Sequence, residues 1–159
     1  MFKSITSALV FMAMGAMAAP RLSKCPTDVK PMAEFDLDRY LGSWYNIQQD
    51  KWIPFALFRG CGVADYTINE EGIVNAHNTS HRFIVGWSEV TAKAVQSDDG
   101  NASLVVDFTG KTPTPDERAN YQILDTDYDT YAIVYDCRDY GFFSFDYLWI
   151  LAREPEISD

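Results

Sequence analysis

The chain has 159 residues, of which 13 are basic and 23 acidic, for a net charge of −10. That length suits one domain around one core. The acidic balance excludes nucleic acid as a partner and disfavours an anionic membrane surface, because neutralising phosphates takes clustered Lys and Arg.

In chain order, residues 1–18 read as a signal peptide. Lys3 supplies a short basic start, the stretch 5–14 is almost entirely apolar, and Ala16-Met17-Ala18 places small residues at a cleavage site. The expectation is a secreted, extracellular domain over 19–159. No later apolar run approaches the roughly 20 residues of a membrane-spanning helix, so stable membrane insertion is not expected. An irregular arm follows, with Cys25-Pro26 and Pro31, and then a short helical turn over 35–41 leading to Gly42.

From there the pattern is that of strands, over 44–49, 61–69, 73–80, 83–96, 102–108, 120–124, 131–137 and 145–153. Turn-rich segments punctuate them, among them Asn69-Glu70-Glu71-Gly72 and Asp98-Asp99-Gly100-Asn101. Several strands alternate cleanly. Ala64, Tyr66 and Ile68 share one face, as do Val74 and Ala76, Leu104, Val106 and Phe108, and Tyr147, Trp149 and Leu151. No ten-residue helical period separates successive strands, so antiparallel hairpins are expected rather than βαβ units. Eight such strands close most simply into an all-β up-and-down barrel, whose interior holds one small ligand; periodicity alone leaves a β-sandwich open. Pro54 breaks the strand pattern between the first two strands, leaving a loop that carries Trp52, Phe55 and Phe58.

Catalytic chemistry finds little in this sequence. His77 and His81 are the only histidines, and no nucleophile motif, HExxH or phosphate-binding glycine loop accompanies them. Asp125, Asp127 and Asp129 repeat the spacing of a calcium loop, but Thr130 stands where such a loop needs Gly, so no metal site is expected. Two glycosylation sequons begin at Asn78 and Asn101, the latter in a turn. The three cysteines, Cys25, Cys61 and Cys137, allow one bridge and leave one orphan in an oxidising compartment.

Three motifs in order, Gly42-Ser43-Trp44-Tyr45, Thr126-Asp127-Tyr128-Asp129-Thr130-Tyr131 and Trp149-Ile150-Leu151-Ala152-Arg153, resemble those of the lipocalin family. With Cys25-Pro26 and Tyr135-Asp136-Cys137, the similarity is to the group of apolipoprotein D, lazarillo, the insect bilin-binding proteins and the crustacyanins. Tyr140-Gly141-Phe142-Phe143 is similar to the crustacyanin pattern.

The resemblance implies an eight-stranded calyx, closed below by Trp44 under Arg153 with Gly42 beside them, these three being structural rather than ligand-touching. It implies a Cys25–Cys137 bridge. It also implies a C-terminal helix and a cysteine partner for Cys61, neither of which this sequence contains up to Asp159. A sequence that is a fragment of a longer chain accounts for both, and leaves Cys61 unpaired within these residues; in a real short form Cys61 is expected to form an intermolecular disulfide or remain a free thiol, with an outer apolar face open to homo-oligomers. Ala64, Tyr66, Val74, Ala76, Asn78, Phe145, Tyr147 and Trp149 are expected to point into the calyx, and Trp52, Phe55 and Phe58 to form a lid. The function so implied is that of a non-enzymatic carrier of a lipid, steroid, bilin or carotenoid, with no resident cofactor. A pigment-binding coloration protein, and an interaction protein acting through its acidic surface and lid, are the alternatives.

Overall fold

In the computed structural model, residues 21–49, 59–82, 86–98 and 100–156 are described. The proposed leader at 1–18, the loop aromatics Trp52, Phe55 and Phe58, and the side chain of Cys61 lie outside them.

A four-residue helix, α1 (Leu37–Tyr40), opens the domain, capped by the Asp36 carboxylate, which accepts the Arg39 N–H at 3.2 Å. Eight strands follow: β1 (Gly42–Gln49), β2 (Arg59–Ile68), β3 (Val74–Arg82), β4 (Gly86–Gln96), β5 (Ser103–Asp107), β6 (Tyr121–Thr126), β7 (Tyr131–Asp139) and β8 (Ser144–Ala152). Each pairs antiparallel with its sequence neighbour, and β1 returns to β8 through Tyr45 opposite Ala152 and Gln49 opposite Trp149. The barrel is closed, so among the described residues no strand is left as a sheet edge. Among the described residues no helix is long and apolar enough to cross a membrane.

Period-two alternation explains the inner face. Ala64 and Tyr66, Val74 and Ala76, and Ala132 and Val134 are buried, while their neighbours face outward. Two residues assigned by parity to a buried face are instead 39% and 46% exposed, Ile68 and Phe108. Both have the expected parity but stand at strand ends, Ile68 at the foot of β2 and Phe108 just past β5 at the open end, where the barrel no longer encloses them.

The barrel has one filled end and one hollow end. Phe35, Tyr40, Trp44, Val74, Ile123 and Val134 pack the filled end. The N-terminal arm reaches it along the outer wall. Arg21 pairs with Ser144 near the open end, Cys25 is bonded to Cys137 on β7, and Met32 exchanges backbone hydrogen bonds of 2.9 Å with Ile123 and Ala102. The bridge implied by the family resemblance is thus present, and it fastens the arm that delivers Phe35 and α1.

Candidate functional site: a barrel calyx

The closed end is locked by one side chain. The Arg153 guanidinium lies 3.8 Å above the ring of Trp44, which is fully buried, a cation–π contact of about 1–2 kcal/mol in a desolvated setting. The same guanidinium donates to the carbonyls of Tyr128 (2.9 Å), Ser43 (3.0 Å) and Arg39 (2.9 Å). One arginine thereby ties together β1, α1 and the β6–β7 turn. Gly42 adopts φ +92°, and a Cβ there would come within 3.3 Å of Arg153 Nη1. A side chain here would crowd the arginine and strain the positive φ, and glycine avoids both.

The β6–β7 turn is built from the second motif. Thr126 Oγ1 donates to the Tyr131 carbonyl at 2.6 Å and accepts the Tyr128 N–H, and Tyr128 takes a positive φ of 70°. Asp127 Oδ1 accepts the N–H groups of Asp129, Thr130 and Tyr131, and its Oδ2 accepts the Thr130 hydroxyl. Donation by Thr130, then by these backbone groups, lowers the Asp127 carboxyl to about 2.

A depressed carboxyl contributes stability above its unfolded value, roughly 3.9, and loses it as pH falls toward the folded value. Asp127→Asn is therefore expected to lower thermal stability at neutral pH and to flatten its acid limb between about pH 4 and 2. An acid limb identical to that of the parent chain would remove this role. Asp125 and Asp129 are engaged separately, with the Tyr131 hydroxyl and with Arg39, so the three carboxylates serve the turn.

Above this base lies a cavity of about 500 Å³. Trp44 forms part of its floor, so the ring that closes the barrel beneath Arg153 also lines the cavity. Of the residues expected to face inward, Ala64, Tyr66, Ala76, Asn78, Tyr147 and Trp149 line the cavity. Val74 and Phe145 do not. Val74 has the right parity but lies too deep, 1% exposed within the filled end, and Phe145 lies too high, packed against Tyr140 and Phe143 of the β7–β8 hairpin. Depth along a strand is set by barrel taper, which alternation does not encode.

The wall also holds polar groups that sequence reading passed over, chiefly Asn120, Tyr121, Asp136 and Arg138. Asn120 takes the place of a backbone neighbour, its amide exchanging hydrogen bonds with Val106 N–H (2.8 Å) and carbonyl (2.9 Å). Tyr121 centres a buried trio, its hydroxyl 3.1 Å from that of Tyr40 and 3.0 Å from that of Tyr66. Burial raises all three phenols well above their ordinary value of 10 and keeps them neutral. Three hydroxyl hydrogens serve two such contacts, leaving one hydrogen over. Period-two alternation with Ala132 and Val134 was the signal that could have found Asp136 and Arg138.

Asn78 lines the cavity, so a glycan at that sequon would compete for the cargo space, whereas Asn101 stands partly exposed at the β4–β5 turn. Outside the barrel, His77 lies 3.4 Å from Glu89, across β3 and β4.

The lipocalin-like domain family model matches residues 35–159. Apolipoprotein D of Rattus norvegicus is 39% identical over 138 residues, covering 84% of this chain and 68% of that protein. The Lazarillo protein of Schistocerca americana is 31% identical, covering 98% and 72%. Among solved structures, insecticyanin from the tobacco hornworm Manduca sexta superposes with a TM-score of 0.69 at 24% identity, over 91% of this chain and 76% of that one. A closed eight-stranded barrel, its Trp44–Arg153 base and these relatives agree, and the chain belongs to the lipocalin family.

Proposed function

We propose that this lipocalin is a secreted carrier that binds, and so transports or sequesters, one small hydrophobic molecule. The observation that carries the reading is the cavity of about 500 Å³, closed beneath by Trp44 and walled by Ala64, Leu104, Val106, Trp149 and Leu151. A concave, largely apolar space of that size with a few polar groups is the usual form of a small-molecule site. Tyr66, Asn78 and Tyr147 supply polar atoms that orient the cargo. Secretion is supported by the apolar leader read at 1–18 and by the Cys25–Cys137 bridge, a bond that persists in oxidising compartments. Asn101, partly exposed in the β4–β5 turn, is the sequon proposed to carry a glycan.

The experiment is to express the full chain through a secretory pathway and collect it from the medium. Its visible spectrum is then recorded and its organic extract analysed by mass spectrometry. The expected result is about one hydrophobic molecule per chain, with bilin or carotenoid absorption if the cargo is a pigment and a colourless lipid or steroid otherwise. A chain that carries nothing and binds no hydrophobic dye overturns the carrier reading.

A further inference from the structure

Among the described residues, the Oδ1 of Asp136 in the cavity wall is left without a hydrogen-bond donor. Asp136 points inward from β7, 5% exposed, among the residues lining the calyx. Its Oδ2 accepts from Arg138 Nε at 3.1 Å, whereas Oδ1 is buried and meets no hydrogen-bond donor among the described residues. The neighbouring groups do not supply one. Tyr147 stands directly opposite on β8 without bonding to Oδ1, and the Tyr121 hydroxyl is held between Tyr40 and Tyr66. Arg138 is turned toward the open end, its guanidinium 5.6 Å from the ring of Phe108.

A buried carboxylate oxygen without a donor is costly, and a group supplied from the cavity relieves that cost. Resting on the carrier reading above, we infer that the cargo bears a hydroxyl or neutral N–H group that donates to Asp136 Oδ1, with its apolar body against Val106, Leu104 and Trp149. Arg138 already balances the carboxylate's charge, so a second cation is not required. A ligand with acceptors alone leaves Oδ1 as it is. The selected chemistry is that of a hydrophobic alcohol, sterol or ring N–H rather than that of an ester, ether or plain hydrocarbon.

The test uses a matched pair of probes, dodecanol and dodecyl methyl ether, each displacing a naphthalene-sulfonate dye from the full-length protein. The ether is the more hydrophobic of the two, so a purely apolar cavity prefers it. The expected result is the reverse, the parent chain binding the alcohol more tightly, with the alcohol-to-ether ratio falling roughly ten-fold in Asp136→Leu. If Asp136→Leu fails to fold, the order of the two probes on the parent chain still decides. Dye binding with the ether equal to or tighter than the alcohol overturns the inference and leaves the carrier reading standing. A ratio unchanged in a folded Asp136→Leu chain overturns it equally. Failure to bind the dye and both probes overturns the two together.

Discussion

Trp44→Ala is expected to lower unfolding free energy by about 3–5 kcal/mol, the range for deleting a large buried aromatic. The residue is fully buried, its ring centroid 5.1 Å from that of Tyr40 and 3.8 Å below the Arg153 guanidinium, and its Nε1–H donates to the Tyr40 carbonyl at 2.8 Å. Alanine removes all of these contacts together and takes away part of the floor of the calyx. For a domain of this size the loss corresponds to a melting temperature lower by roughly 10–15 °C. Trp44→Phe keeps the apolar ring but not the N–H, so a smaller loss of about 1–2 kcal/mol is expected. Circular dichroism melts of the three proteins test this order. An alanine variant within about 1 kcal/mol of the parent would show that the ring and its arginine are not what closes the barrel.

The second large effect is expected from the disulfide. Cys25 and Cys137 are 112 positions apart in sequence, with Cα atoms 5.8 Å apart. In the chain-entropy account, opening a loop of that length in the unfolded state costs the native fold about 4–5 kcal/mol. A Cys25→Ser, Cys137→Ser double variant should therefore unfold at markedly lower urea, and reductant should impose a similar loss on the parent chain. The arm will not detach entirely, because Arg21 retains its 2.6 Å ion pair with Asp146 and its bridge to Ser144. A denaturation midpoint unmoved by the double substitution would mean that these contacts, not the covalent bond, hold the arm.

The parts of the molecule legible in sequence were those with a repeating or local cause. Strands were recognised by alternation and their ends by Asn, Asp and Gly clusters, so the eight strands fall close to their expected places. The continuation of β6 to Thr126 is an end effect of pairing, and residues 83–85, where the fourth strand was expected to begin, lie outside the described residues. Gly42, Trp44 and Arg153 were read through motif resemblance, and each proves to have a steric or electrostatic reason for its identity.

What escaped was what depends on depth and on distant partners. Val74 and Phe145 share the parity of true lining residues but sit below and above the cavity. Tyr40 lies in α1, 81 positions from Tyr121, and nothing local announces that their hydroxyls meet. Asp136 interrupts an apolar series, and polarity in a strand reads as a solvent face unless the count from Val134 is trusted over the chemistry.

The ring series along β8 has an optical consequence. Phe145, Tyr147 and Trp149 stand in succession, with Tyr147 and Trp149 stacked at 5.8 Å and Trp149 open to the calyx. Trp44 lies at the base of the same space, while Trp87, 72% exposed, stands outside it. Light absorbed by Tyr147 passes readily to so near an indole, and any molecule entering the barrel comes against the indoles of Trp44 and Trp149. Occupancy is therefore written into the protein's own fluorescence: quenching or a blue shift of the inner pair against the steady emission of Trp87 follows cargo uptake without a label.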